Sequence, residues 1–332
     1  MAARRLVHIR RLIEVDRGRG LEIGPLYDPI VRRGEADISY VDVYPGDKLR
    51  AEYGSHPGVP IEDIVEPDYY LIHDDGARSL PDAVEGAQFD WVVASHVIEH
   101  VPDVIGWLDE VAQLLFDDGR LVLAIPDRRF SFDALRPATT VGQMLLAHRA
   151  RDVTPSVRAV YDHYSQAVTF NPAAAWLGLP PDPNQRIHDL DYVLAQLARC
   201  EDGQYVDCHV WLFTPRSFIE QLQELERLDL VSFVVDEIVL PRQGEFEFYV
   251  RLRRISRELD GPEREAMRRA GMRTWIEGRR FDERIDSSDT FSETATAGLS
   301  RSELKLIRFK RRAAGKSRRV AHGVLARLPG RS

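Results

Sequence analysis

Two acidic residues and one glycine near the start of the chain have the types and spacing to bind a ligand together. Leu21-Glu22-Ile23-Gly24 reads as a strand that ends in an acid and a glycine. A glycine there lets the backbone pass close to a ligand at the carboxyl edge of an open sheet. Eighteen residues after Gly24, the apolar run ending at Val41-Asp42-Val43 carries a second carboxylate. At the end of a second strand that group can accept hydrogen bonds from ribose hydroxyls, so the pair fits a nucleoside-containing cofactor. Binding a pyrophosphate would call for the G-x-G-x-x-G pattern, whose backbone cradles an anion. Only Gly24 is present, and Glu22 with Asp28 would repel a phosphate. A cationic nucleoside suits this loop better than NAD.

Further along, Asp74-Asp75-Gly76 follows a weak strand and His96-Val97-Ile98-Glu99-His100-Val101 follows a strong one. His100 reads either as a general base titrating near neutral pH or as a residue packed or hydrogen-bonded to Glu99. Asp127-Arg128-Arg129 ends a later strand, where it can hold substrate groups or stand as solvated charge. His148, His163, His188 and His209 lie among Asp162, Asp189 and Asp191, but no spacing matches a recognised ligand set, so no metal is expected. Cys200 and Cys208 are the only cysteines and read as free thiols.

The elements that position these residues follow from periodicity. Gly20–Ile23, Ile38–Val43, Phe89–Ala94 and Arg120–Ile125 read as strands, with Tyr69–Ile72 as a weaker fifth. Val104, Ile105, Leu108, Val111, Ala112 and Leu115 recur at helical spacing behind an Asp103 cap, and Asp117-Asp118-Gly119 turns the chain into the next strand. Residues 134–208 lack strand alternation and contain the breaks Asn171-Pro172 and Leu179-Pro180-Pro181-Asp182-Pro183, which suggests a helical insertion placed to cover a ligand. Thr214-Pro215 starts a helix with Phe218, Ile219, Leu222 and Leu225 on its apolar face. Leu230–Leu240 and Glu245–Arg253 then form strands too close in sequence to be anything but an antiparallel hairpin.

Taken in order, Leu21–Gly24, Val41–Val43, Asp74-Asp75-Gly76 and Phe89–Pro126 resemble the successive motifs of class I S-adenosylmethionine-dependent methyltransferases of the small-molecule type. The His96–Val101 segment is similar to the run after the fourth strand in that group. The resemblance is strong over residues 18–130 and moderate over 209–253. It implies an α/β fold with a doubly wound, mostly parallel, seven-stranded Rossmann-like sheet, completed by the antiparallel hairpin. It implies that Glu22 and Gly24 contact the methionine moiety, Asp42 the ribose and Asp75 with Gly76 the adenine, while Ser95 and His96 line the pocket. Pro25-Leu26 stand where relatives have further glycines. His96 and His100 are the candidates for assisting proton removal from an acceptor. The expected organisation is a cofactor-binding core over 1–133, an insertion or substrate lid over 134–208, completion of the core over 209–254 and a charged extension over 255–332.

Composition bounds the rest. With 44% hydrophobic and 30% charged residues the chain is an ordinary globular one, and no apolar run is long enough to span a bilayer, so a cytoplasmic location is expected. The net charge of −8 divides into +10 over residues 301–332 and −18 elsewhere. An acidic body argues against nucleic acid as the substrate, whereas the basic tail could meet an anionic membrane at its inner face. The expected activity is methyl transfer to a small or medium acceptor, with a sugar hydroxyl of a glycan pathway as one candidate. The alternatives are a scaffold that keeps the fold without turnover and a membrane- or nucleic-acid-associated protein acting through its tail.

Overall fold

The computed structural model describes residues 2–54, 56, 58–177, 179, 181–256 and 261–267. The basic tail and the Ser/Thr/Asp-rich stretch over 286–296 lie outside the described residues.

The sheet grows outward from strand β1 (Arg19–Ile23), which pairs in parallel with β2 (Asp37–Asp42), itself followed by the short β3 (Tyr69–Tyr70). The chain then crosses to the other side of β1 to form β6 (Phe89–Ser95) and β7 (Leu115–Pro126), both parallel to it. Strands β8 (Phe233–Val239) and β9 (Glu247–Arg254) close that edge, with β9 antiparallel to β7 and to β8. The order β3-β2-β1-β6-β7-β9-β8 therefore reverses direction between β1 and β6. Ligands of open α/β sheets bind at such a reversal, beyond the carboxyl ends of the strands.

Alternation along each strand produces two cores, as a sheet buried on both faces requires. On one face Leu21, Val92, Leu121, Leu123 and Phe248 pack with helix α4 (Val104–Leu114) and helix α9 (Pro215–Arg227). On the other Tyr40, Trp91, Val93, Val122 and Tyr249 pack with Ile9, Leu12 and Ile13 of helix α1 (Ala2–Ile13). Both expected caps form: Asp103 accepts from the Gly106 N–H, and Thr214 exchanges capping-box bonds with Ser217.

Two elements differ from the sequence reading. Asp117-Asp118-Gly119 is not a turn between helix and strand, because β7 already begins at Leu115 and the stretch forms a register shift within it, with Asp118 at φ +62°. The weak strand expected over 69–72 divides: Tyr69–Tyr70 joins the main sheet, while β4 (Ile72–His73) pairs antiparallel with β5 (Gly76–Ala77).

Residues 134–208 carry α5 (Val141–Ala150), α6 (Val157–Gln166), the short α7 (Pro172–Trp176) and α8 (Leu190–Glu201), numbered after α2 (Gly46–Tyr53) and α3 (Leu80–Ala83) in the core. Trp176 fixes the insertion to the turn after β7 by stacking on Phe130, with centroids 4.3 Å apart, and to the β8–β9 loop by donating to the Glu245 carbonyl at 2.9 Å.

Candidate active site

Glu22 stands one residue before the end of β1 with its carboxylate turned inward. It accepts the Ile30 N–H at 2.8 Å and the Val31 N–H at 3.2 Å, which folds the loop after Gly24 back onto the strand. Glu22 is 2% exposed, and burial, countered in part by those two N–H groups, pushes its carboxyl up to about 7. Its part is thus to shape the loop after Gly24, and both of its oxygens are engaged in doing so. Gly24 has φ +67°, a left-handed turn that favours glycine, and an added Cβ would crowd the Val97 side chain at 3.1 Å.

Asp42 lies one step beyond the Ile23–Val41 pair, beside Gly24, whose N–H donates to the Val41 carbonyl at 2.9 Å. Its carboxylate accepts the Val43 N–H at 2.7 Å, and burial raises its pKa to about 6. A carboxylate nearly desolvated at a strand end gains most from hydroxyl donors, which is what a ribose supplies. Asp75 and Gly76 sit at the tip and start of the β4–β5 hairpin, with Asp75 exposed and 3.6 Å from Arg78. The hairpin is hung from the same edge, since Leu71 and Ile72 donate to the carbonyls of Asp42 and Val43.

Ser95 and His96 lie beyond the reversal. His96 adopts φ +55° and is clamped between two acids: its Nε2 is 2.7 Å from Glu247 Oε2, and its Nδ1 is 3.3 Å from Glu99 Oε1. Burial alone would lower its pKa, but the Glu247 and Glu99 carboxylates outweigh that and hold it at about 9. With both ring nitrogens taken and the ring charged near neutral pH, His96 is placed to hold the site together and not to remove a proton. Arg5 of α1 meets Ser95 Oγ and lies 3.2 Å from Glu247 and 3.8 Å from Asp28, so a cation from the first helix reaches the loop and pocket wall.

His100 is not hydrogen-bonded to Glu99. Its Nδ1 pairs with Asp207 Oδ1 at 2.8 Å, which leaves Nε2 for other work. Beside it, His209 directs Nδ1 at Asp133 Oδ2, 2.6 Å away, and the two imidazoles meet edge to face at 4.7 Å. Asp127 and Arg129 are neither solvated nor open, because Arg129 closes on the buried Asp127 through two bonds of 2.6 and 2.9 Å. Among the insertion histidines, His148 pairs with Asp103 at 2.9 Å and His188 stacks on Tyr192. His163 accepts the His209 N–H on Nδ1 at 3.0 Å. Burial pushes the hydroxyl of the half-buried Tyr53 up, and the Asp207 and Asp42 carboxylates add to that, so both acids lie within electrostatic reach of one ring.

The sequence reading did not find Arg5, Asp133, Asp207 or Glu247. They are contributed by the first helix, the insertion and the last strand, so no local spacing links them to His96 or His100. The amphipathic rhythm of Leu6, Ile9 and Ile13 is the one signal that could have flagged α1.

A model of the methyltransferase domain family matches residues 11–225, well over half of the sequence, and the chain belongs to that family. With this sheet order and motif series, it is a class I S-adenosylmethionine-dependent methyltransferase. Similar solved structures include an S-adenosylmethionine-dependent methyltransferase from Mesorhizobium loti, at 15% identity and TM-score 0.38, covering 75% of this chain and 96% of that one. The N-methyltransferase NodS from Bradyrhizobium japonicum WM9 is similar at 12% identity and TM-score 0.33, covering 77% and 97%. Magnesium protoporphyrin IX methyltransferase from Synechocystis PCC 6803 is similar at 10% identity and TM-score 0.34, covering 76% and 81%. No curated protein matches the chain. Among the described residues, no helix is long and apolar enough to cross a membrane.

Proposed function

We propose that this methyltransferase acts on a hydroxyl oxygen of a small polar acceptor, a glycosyl unit being the class its site suits best. The observation that carries this reading is the roof over the carboxyl edge. Tyr164, His188 and Tyr192 of the insertion form a cluster of rings with centroids 4.7 to 5.6 Å apart. The Tyr164 hydroxyl donates to the Asp207 carbonyl at 2.8 Å, which ties that cluster to His100. Flat rings joined to carboxylates and imidazoles suit the mixed apolar and hydroxylated faces of a sugar.

S-adenosylmethionine supplies an activated methyl group on a cationic sulfur. In our reading Asp42 receives the ribose hydroxyls, and the loop held by Glu22 carries the methionine end, with Arg5 facing its carboxylate. Asp75 and Gly76 border the adenine. The residues of the cleft need only align acceptor and donor and exclude water. As the acceptor oxygen bonds to the methyl carbon, the carbon–sulfur bond breaks, the sulfur becomes neutral and the hydroxyl proton passes to solvent. The insertion over 134–208 serves as the lid.

The test is a mass-spectrometric screen in which glycosides, quinones, lipids and amines compete for a mass gain of one methyl. A gain on a glycoside hydroxyl supports the reading. A gain confined to nitrogen or carbon acceptors refutes it.

A further inference from the structure

We infer that Glu99, His100 and His209 form a binding site for one divalent transition-metal ion at the carboxyl edge of β6, under the insertion. Ligand atoms from these three side chains lie within 4.8 Å of one another. An ion equidistant from three such atoms would be about 2.8 Å from each, so a shift of under about 1 Å per side chain reaches the ~2.1 Å of a metal–nitrogen or metal–oxygen bond.

Three further observations point to a ligand. Glu99 is fully buried, and while its Oε1 faces the charged His96 ring at 3.3 Å, its Oε2 receives no hydrogen bond. A buried carboxylate oxygen left so is unfavourable unless a further donor or cation reaches it, and His96 reaches only the other one. Both imidazoles, moreover, have Nδ1 occupied by a carboxylate: Asp207 at 2.8 Å from His100, and Asp133 at 2.6 Å from His209. Such an arrangement fixes the tautomer that keeps the Nε2 lone pair free, and it is the usual outer support of a metal-bound histidine. Finally, the support is itself anchored. Arg136, 1% exposed, donates to Asp133 at 2.7 Å and to the His209 carbonyl at 2.8 Å.

Two imidazoles and one carboxylate suit zinc, manganese, iron or cobalt better than magnesium, which prefers oxygen ligands and retained water. Three protein ligands leave a coordination position open. Its use, resting on the hydroxyl-acceptor reading above, would be to hold the acceptor oxygen and ease loss of its proton.

The experiment uses the full chain, stripped with a chelator, with binding of Zn2+ and Co2+ followed by titration calorimetry and by the visible absorption of Co2+. No acceptor or donor is present, so the result is independent of what is methylated. One equivalent should bind, with a Co2+ spectrum of low coordination number. His209→Gln and Glu99→Gln should each weaken binding at least 100-fold, and Asp133→Asn should weaken it 10- to 100-fold. His148→Gln, which removes an imidazole outside the cluster, should change nothing. Circular dichroism identifies any variant that fails to fold, and Asp207→Asn, at an exposed position, then serves as the replacement for it. Absence of a stoichiometric site, or binding that survives His209→Gln in a folded protein, would overturn the assignment.

Discussion

His96 Nε2 stands 2.7 Å from Glu247 Oε2, so a residue at the end of β6 is bonded to one 151 positions later at the start of β9. The same ring faces Glu99, and Tyr249 and Arg5 also bind Glu247. The pocket wall is therefore one charged network that joins the first helix, β6, β9 and Glu99 beside the histidine cluster.

Breaking that network at its centre should be costly. His96→Ala leaves the buried Glu99 and Glu247 without their shared cation, and loss of about 3–5 kcal/mol is expected. Urea unfolding of the variant against the parent measures it. An unchanged midpoint would show that the two acids find other partners.

Asp42→Ala should weaken binding of S-adenosylhomocysteine by roughly 10- to 100-fold, the range for hydrogen bonds to a charged group, and should not lower stability at neutral pH, where the buried carboxylate is a cost. Calorimetric titration checks the first part and thermal melting the second.

Stability should depend on pH through Glu22 and Asp42, whose carboxyls are raised to about 7 and about 6 from ordinary values of 4.5 and 3.8. A raised carboxyl favours the protonated folded state. Its contribution is therefore complete below the unfolded value and is lost as pH rises through the folded one. Arg5 partly offsets this at Glu22, and Asp28 adds to it. Stability from these two groups should fall between about pH 4 and pH 7, and Glu22→Gln should flatten that fall in urea midpoints.

Removing a ring from the roof should touch the acceptor and spare the donor. Tyr192→Ala is expected to raise the acceptor KM several-fold, as loss of ring stacking of about 0.5–1.5 kcal/mol implies. The affinity for S-adenosylhomocysteine should be unchanged.

Much of the core was legible because local signals agreed there. The Asp103 and Thr214 caps, the four apolar runs and the tight hairpin each follow from short-range rules, and the structure realises all of them. Glu22, Gly24 and Asp42 were legible as a set since each ends or follows a strand of one parallel sheet. The role of His96 was not, because its partner Glu247 is far away in sequence and only β9 insertion between β7 and β8 brings it near. His209 and Asp133 likewise meet through a turn of the chain around 76 residues long. Asp118 shows the opposite failure: a turn-like triplet was absorbed as a bulge because pairing with β6 continues on both sides.

Equilibrium binding of S-adenosylmethionine to the pure, folded protein tests the central claim most directly, namely that a cationic nucleoside donor is held at the carboxyl ends of β1 and β2. Saturable binding at one site, weakened at least tenfold by Asp42→Ala, is the predicted result. No detectable binding, or binding indifferent to Asp42, would contradict it.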